Sequence, residues 1–279
     1  MDKLPIDLIQ YCIFDKLDFI TQIRFRQICK WLNRIKMYDF LNIDEQFRER
    51  LSDDILKKHL FIKFLDASYN PQITNLNYLK DLKVLYVNSI FSDIGNVDDQ
   101  CIKDLNLTIL HASGNYKIKN INHMTNLKEL AVGFNCGISD DNIKNLINLK
   151  ILYMTGNNNI TNLNHLKNLK EVYSYGDSGL TDLGISKLNL NVLAIDDNPK
   201  ITNINHMTNL KILHASFKCG LTDYGIKDLI NLETLYIARN KKITNVNHLT
   251  NLKKLCTDIQ LSNTAPGIVR LNLIASSVQ

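Results

Sequence analysis

Four histidines recur in one short phrase of this sequence: His123 in "IKNINHMTNLK", His165 in "ITNLNHLKNLK", His206 in "ITNINHMTNLK" and His248 in "ITNVNHLTNLK". Imidazole is both a common metal ligand and a general acid–base group, so such a row could mark a metal site or a proton relay. Spacing argues against both. The copies lie two repeats apart, and stacked strands are about 4.8 Å from one another, so neighbouring histidines stand roughly 10 Å apart. A zinc ion needs its nitrogens at about 2.0–2.1 Å from a single point. The row cannot share an ion, and an earlier copy, "ITNLNYLK", has Tyr78 in the same place. No metal and no cofactor is assigned.

Other reactive residue types receive the same scrutiny. Cys12, Cys29, Cys101, Cys136, Cys219 and Cys256 are far apart and form no CxxC pair, which reads as reduced, buried thiols. Asp140, Asp182 and Asp223 each follow Ser139, Thr181 or Thr222. They read as first-turn carboxylates of capped short helices, not as a catalytic row. GxxxxGK[ST], GxSxG, HExxH and GxGxxG are all absent. The sequence is read as non-enzymatic, with no catalytic residue.

The elements that position these residues come from a repeat. Anchoring on one apolar residue per copy gives Leu65, Leu85, Leu110, Leu130, Leu152, Val172, Leu193, Leu213, Leu235 and Leu255. The steps are 20, 25, 20, 22, 20, 21, 20, 22 and 20 residues. "LKILYMTGN" shows the unit, with Leu149, Leu152, Met154 and Asn157 in an L-x-x-L-x-L-x-x-N spacing. That spacing resembles the leucine-rich repeat. It implies an α/β fold: a curved parallel sheet with short convex helices and turns, covering residues 51–260 in about ten repeats that alternate 20 with 21–25 residues. Asn70, Asn115, Asn135, Asn157, Asn198 and Asn240 fall where the chain leaves its strand, where an amide can bond unpaired backbone groups. Asp177 is placed to do similar work, while Ile90, Lys218 and Gln260 depart from the pattern.

Such a solenoid exposes its strands on a concave face, the usual binding surface. The outward position after each anchor is Tyr or His in six of ten copies: Tyr86, His111, Tyr153, Tyr173, His214 and Tyr236. Tyrosine offers wide contact area with a polar tip, so these six are the candidate substrate-binding residues, with rings expected to face water. Phe134, Phe217 and Arg239, three positions further on, are candidate rim contacts.

Residues 1–40 lack the period and read as two or three short helices, joined through a 41–50 connector to the array and balanced by a 261–279 cap or tail. Here Leu4-Pro5, Asp7, Leu8-Ile9, Ile13-Phe14, Leu17, Arg26, Ile28-Cys29-Lys30 and Trp31 resemble an F-box, with aspartate for the commoner glutamate and the tryptophan one residue early. The resemblance, of the F-box/leucine-rich-repeat kind seen in amoebae and giant DNA viruses, implies a function. It implies the substrate-recognition subunit of a Skp-cullin-F-box (SCF) ubiquitin ligase. Leu4, Pro5, Leu8, Ile9, Ile13, Phe14, Leu17, Ile28, Cys29 and Trp31 would dock on a Skp-type adaptor, and the array would hold a protein substrate. The alternative is a leucine-rich-repeat adaptor or inhibitor whose N-terminal helices only cap the core.

Charge and hydropathy narrow the partners. A net charge of +5 with no block of five or six like charges gives no expectation of nucleic-acid binding. No run of about 18 apolar residues occurs, and the start has no apolar signal core, so no membrane role is expected. The expected location is the cytoplasm, or the nucleus, or a host cytoplasm for a viral protein.

Overall fold

The computed structural model of the chain describes residues 5–28, 32–89, 95–258 and 269–271. Among them, twelve short strands form one parallel sheet in strict chain order. These are β1 (Asp39–Phe40), β2 (Phe64–Asp66), β3 (Val84–Tyr86), β4 (Ile109–His111), β5 (Glu129–Ala131) and β6 (Ile151–Tyr153), followed by β7 (Glu171–Tyr173), β8 (Val192–Ala194), β9 (Ile212–His214), β10 (Thr234–Tyr236), β11 (Lys254–Cys256) and β12 (Val269–Leu271).

The ten anchors are direct register partners, from Leu65 opposite Leu85 to Leu235 opposite Leu255. All ten are fully buried. Period-2 alternation explains this: with the anchor inward, its two neighbours point to the open face. The sheet extends past the ten anchors at both ends, since Phe40 pairs with Leu65 and Arg270 with Leu255.

Opposite the sheet run one-turn helices, Asp53–Leu56, Asp99–Ile102, Asp140–Ile143 and Asp182–Ile185, and a 3-10 turn, Asp223–Ile226. Ser139 caps its helix reciprocally with Asn142, whose Oδ1 accepts from the Ser139 amide at 2.8 Å and its hydroxyl at 2.7 Å. Thr181 and Thr222 make no side-chain cap bond, contrary to the expectation from sequence. The aspartates that follow act as staples between coils. Asp182 accepts from the Thr202 amide at 2.8 Å, the Thr202 hydroxyl at 2.6 Å and the Asn203 amide at 3.2 Å. Asp53, Asp140 and Asp223 repeat the arrangement on Thr74, Thr161 and Thr244. Gly184 permits this close stacking, because a Cβ there would collide with the carbonyl oxygen of Thr161 in the coil before.

Asparagines close the other turn. Asn70, Asn115, Asn157, Asn198 and Asn240 are buried and donate to carbonyls of the preceding coil. Their Oδ1 atoms accept from amides two residues on. Asn135 and Asp177 do not join this ladder. Both are exposed, and Asp177 pairs with Lys200 at 2.7 Å. In these alternate coils the residue after takes the inward place: Cys136, Ser178 and Cys219 are buried, and Cys136 Sγ and Ser178 Oγ accept from Asn157 and Asn198.

The N-terminal helices, Ile6–Cys12 and Phe19–Gln27, lie at the β1 end. Asp18 caps the second, accepting from the Thr21 amide at 2.9 Å. Ile9, Phe14, Leu32, Ile35, Met37 and Phe40 continue the repeat core without a break. Phe19 meets Phe40 and Phe47 edge-on, so these helices cover the first coil.

Candidate functional site

The six candidate residues Tyr86, His111, Tyr153, Tyr173, His214 and Tyr236 share one face of the sheet, each at the C-terminal end of a strand. They do not simply stand in water. All six are half-buried, because they stack in pairs. Tyr86 lies on His111 with centroids 4.3 Å apart, Tyr153 on Tyr173 at 4.7 Å and His214 on Tyr236 at 4.0 Å. Ala131 and Ala194 separate the pairs. His111 reaches across Ala131 to touch Tyr153 edge-on at 6.2 Å.

A second row, which the sequence reading missed, orients the first. Glu129 Oε1 lies 2.8 Å from His111 Nε2, and Glu171 Oε2 accepts from the Tyr173 hydroxyl at 2.9 Å. Lys254 donates to the Tyr236 hydroxyl at 2.8 Å. All three sit one residue before an anchor, and alternation alone would have put them on the same face. Tyr175 adds an edge contact to His214 at 6.4 Å. Burial raises the Tyr86, Tyr153 and Tyr173 phenols above their usual range, with the Glu171 bond adding to the effect at Tyr173. Burial lowers His214, partly opposed by Asp196. At neutral pH these three tyrosines present hydroxyl donors and His214 an uncharged ring.

Phe134, Phe217 and Arg239 occupy the rim in left-handed backbone, at φ 57°, 59° and 60°. The same place in neighbouring coils holds Gly114, Gly156 and Gly176, the residue that bears this conformation without strain. A side chain there costs about 1–2 kcal/mol each. The exposed phenylalanines, 40% and 41% accessible, therefore stand where backbone sterics favour glycine. The Arg239 guanidinium lies 5.8 Å from the Phe217 ring centre.

On the far side of the solenoid, each repeated histidine bonds a helix end. His123, His165, His206 and His248 place Nε2 at 3.1–3.3 Å from the carbonyl oxygens of Ile102, Ile143, Ile185 and Ile226. Those isoleucines close the one-turn helices, and their carbonyls also accept the backbone amide three residues on, so each ring adds a second bond that ties one coil to the next. Tyr78, at the equivalent place, instead donates its hydroxyl to the carbonyl of Asp53, the first residue of the helix beside it, at 3.2 Å. No group of three or more metal-ligating residues converges among the described residues. Burial pushes the Cys101, Cys136 and Cys219 thiols up to about 11, so they are protonated at neutral pH.

At the N-terminus the expected adaptor-facing residues divide. Pro5 is exposed at the start of the first helix, and Leu17 is half-buried. Ile9 and Phe14 are 8% and 1% exposed and belong to the core, whereas Ile13 and Ile28 are 43% and 68% exposed. Leu4, Cys29 and Trp31, and the side chain of Leu8, lie outside the described residues. Tyr11, which the motif does not include, is 68% exposed.

Coils of 20–25 residues, a buried leucine-type ladder and one open parallel sheet define a leucine-rich-repeat protein, a fold that suggests protein binding. No family model matches the chain, and no curated protein sequence matches it. Among solved structures it is similar to the functional domain of InlJ from Listeria monocytogenes. Identity is 20% over 77% of this chain and 54% of that one, with a TM-score of 0.52. It is also similar to an internalin, inlF, from L. monocytogenes strain 4b F2365, at 18% identity over 78% and 76% of the two chains and a TM-score of 0.48. A TLR13–ssRNA13 complex aligns at 16% identity over 83% and 43%, with a TM-score of 0.49. The InlJ likeness bears on the fold alone. No described helix is long and apolar enough to cross a membrane.

Proposed function

We propose that this chain is a substrate-recognition subunit of an SCF-type ubiquitin ligase, its N-terminal helices docking on a Skp-type adaptor and its open sheet face holding a protein substrate. The observation that carries the binding half is the row of stacked aromatic pairs. It runs from β3 to β10, seven strand spacings or about 34 Å. Its rings are ordered by carboxylates before any ligand arrives, so little side-chain freedom is lost on binding. The adaptor half is supported by Tyr11, Ile13 and Ile28, which lie exposed while Ile9 and Phe14 pack inward. The chain would perform no chemistry. It would raise the local concentration of substrate beside a ubiquitin-charged enzyme.

A second reading has its own observation. The N-terminal helices close the end of the core through Phe19, Phe40 and Phe47, as a cap on a leucine-rich-repeat adaptor or inhibitor would. Co-purification with a Skp-type adaptor separates the two. The proposal expects binding by the wild-type chain and its loss in Ile13→Asp with Ile28→Asp, both surface changes that leave the melting temperature in place. Absence of adaptor binding by the folded wild-type chain would establish the capping role.

A further inference from the structure

The lysines of this sequence form no like-charge block, yet the solenoid gathers them into a line. The residue two before each anchor reads Lys63, Lys83, Thr108, Lys128, Lys150, Lys170, Asn191, Lys211, Glu233, Lys253. All seven lysines are exposed. Backbone hydrogen bonds put Lys128, Lys150 and Lys170 on successive rungs: the Lys150 amide donates to the Lys128 carbonyl at 2.8 Å, and the Lys170 amide to the Lys150 carbonyl at 2.8 Å. The ammonium groups therefore start from a spacing of about 4.8 Å. Like charges held side by side in this way repel each other.

Nearby carboxylates do not neutralise the middle of the row. Glu129 and Glu171, one residue further along the strands, are turned toward His111 and Tyr173. Among the described residues, Lys83, Lys128, Lys150 and Lys170 make no ion pair. Lys83, Lys128 and Lys150 line one shallow groove with Asn126, Asn148 and Asn168.

The row itself shows what fits it. At the rung between Lys211 and Lys253 stands Glu233, whose carboxylate lies 3.5 Å from the first ammonium and 2.7 Å from the second. Those lysines hold the Glu233 carboxyl below its usual range. A carboxylate thus bridges two lysines of this ladder, and the equivalent places beside Lys128, Lys150 and Lys170 have none.

We infer that this edge of the sheet binds an acidic, extended segment of a partner protein, whose Asp and Glu side chains bridge Lys83, Lys128, Lys150 and Lys170 as Glu233 bridges Lys211 and Lys253. The inference deepens the protein-binding reading above and rests on it, because it names the chemistry of one part of the bound protein. A protein fits better than a nucleic acid. The row is interrupted at Thr108, Asn191 and Glu233, and a peptide can place its charges only where lysines stand, whereas a phosphate backbone carries charge throughout.

The test is fluorescence anisotropy with a labelled Glu-rich peptide at low ionic strength, using the full chain. Lys128→Glu, Lys150→Glu and Lys170→Glu together should weaken binding by about tenfold or more. An equal charge change on the other side, Lys103→Glu, Lys144→Glu and Lys227→Glu at helix ends, should weaken it by less than about threefold. Circular dichroism melts confirm that both variants are folded. The Glu-rich peptide carries no aromatic side chain, so its binding reports on this edge and not on the aromatic row. Equal losses in the two lysine variants, or no peptide binding by wild type, would overturn the inference while leaving the aromatic reading intact. Tighter binding of a charge-matched oligouridylate, lost in the same ladder variant, would replace the acidic protein by a nucleic acid.

Discussion

Nε2 of His165 lies 3.2 Å from the carbonyl oxygen of Ile143, 22 residues earlier in the chain and one coil away in space. The bond repeats along the solenoid, from His123 to His248. A single hydrogen bond of this kind contributes about 1 kcal/mol. His165→Ala and His206→Ala should each lower stability by about 1 kcal/mol in urea unfolding, and metal analysis of the purified protein should be unaffected by either change. Stoichiometric zinc that vanishes in the double variant would contradict the bonding assignment.

The Tyr153–Tyr173 stack should register in stability as well as in binding. Aromatic pairs contribute about 0.5–1.5 kcal/mol beyond their buried area. A double-mutant cycle of Tyr153→Ala and Tyr173→Ala should return a coupling in that range. Leu152→Ala, cut from a fully buried anchor, should lose about 2–5 kcal/mol through the cavity left behind. Against a partner captured by proximity labelling, the tyrosine variants should lose about 2 kcal/mol or more of binding. Tyrosine variants that melt as early as Leu152→Ala would place the stripe in the core.

Asp182 holds two coils together through three accepted hydrogen bonds. Asp182→Ala leaves the Thr202 and Asn203 amides without that acceptor and should cost about 2 kcal/mol. Thr202→Val removes the hydroxyl bond alone and should cost about half as much. Chemical denaturation of the two variants checks the order, which a carboxylate acting only on its own helix end would not produce.

Stability should fall on mild acidification. Burial lowers His214 and His59, the latter helped by the nearby Arg26 charge. The unfolded chain, with ordinary imidazoles near 6.5, then binds more protons than the native one as pH drops below about 6.5. Their contribution is intact above that value and lost progressively as pH falls through the folded-state values. Thermal melts across this range should show a declining Tm, with a shallower slope in His214→Gln. A Tm that rises on acidification from pH 7 to 5 would reverse the sign assigned here.

What sequence alone determined was everything governed by local alternation and period. A leucine every 20–25 residues selects which side chain enters the core, and the structure places all ten anchors in one fully buried ladder. The aromatic row followed from the same rule, because the neighbour of an inward residue must face outward. Partnership between coils was not legible, since it depends on how far the chain advances per turn. Only the stacked coils bring Asp182 to Thr202, turn Cys136 inward in place of Asn135, and bury the tyrosine faces against one another. The same geometry set the charge pattern. Lys128, Lys150 and Lys170 are about twenty residues apart in the chain and unremarkable there, but one coil returns the chain by a single strand spacing, which puts their charges side by side.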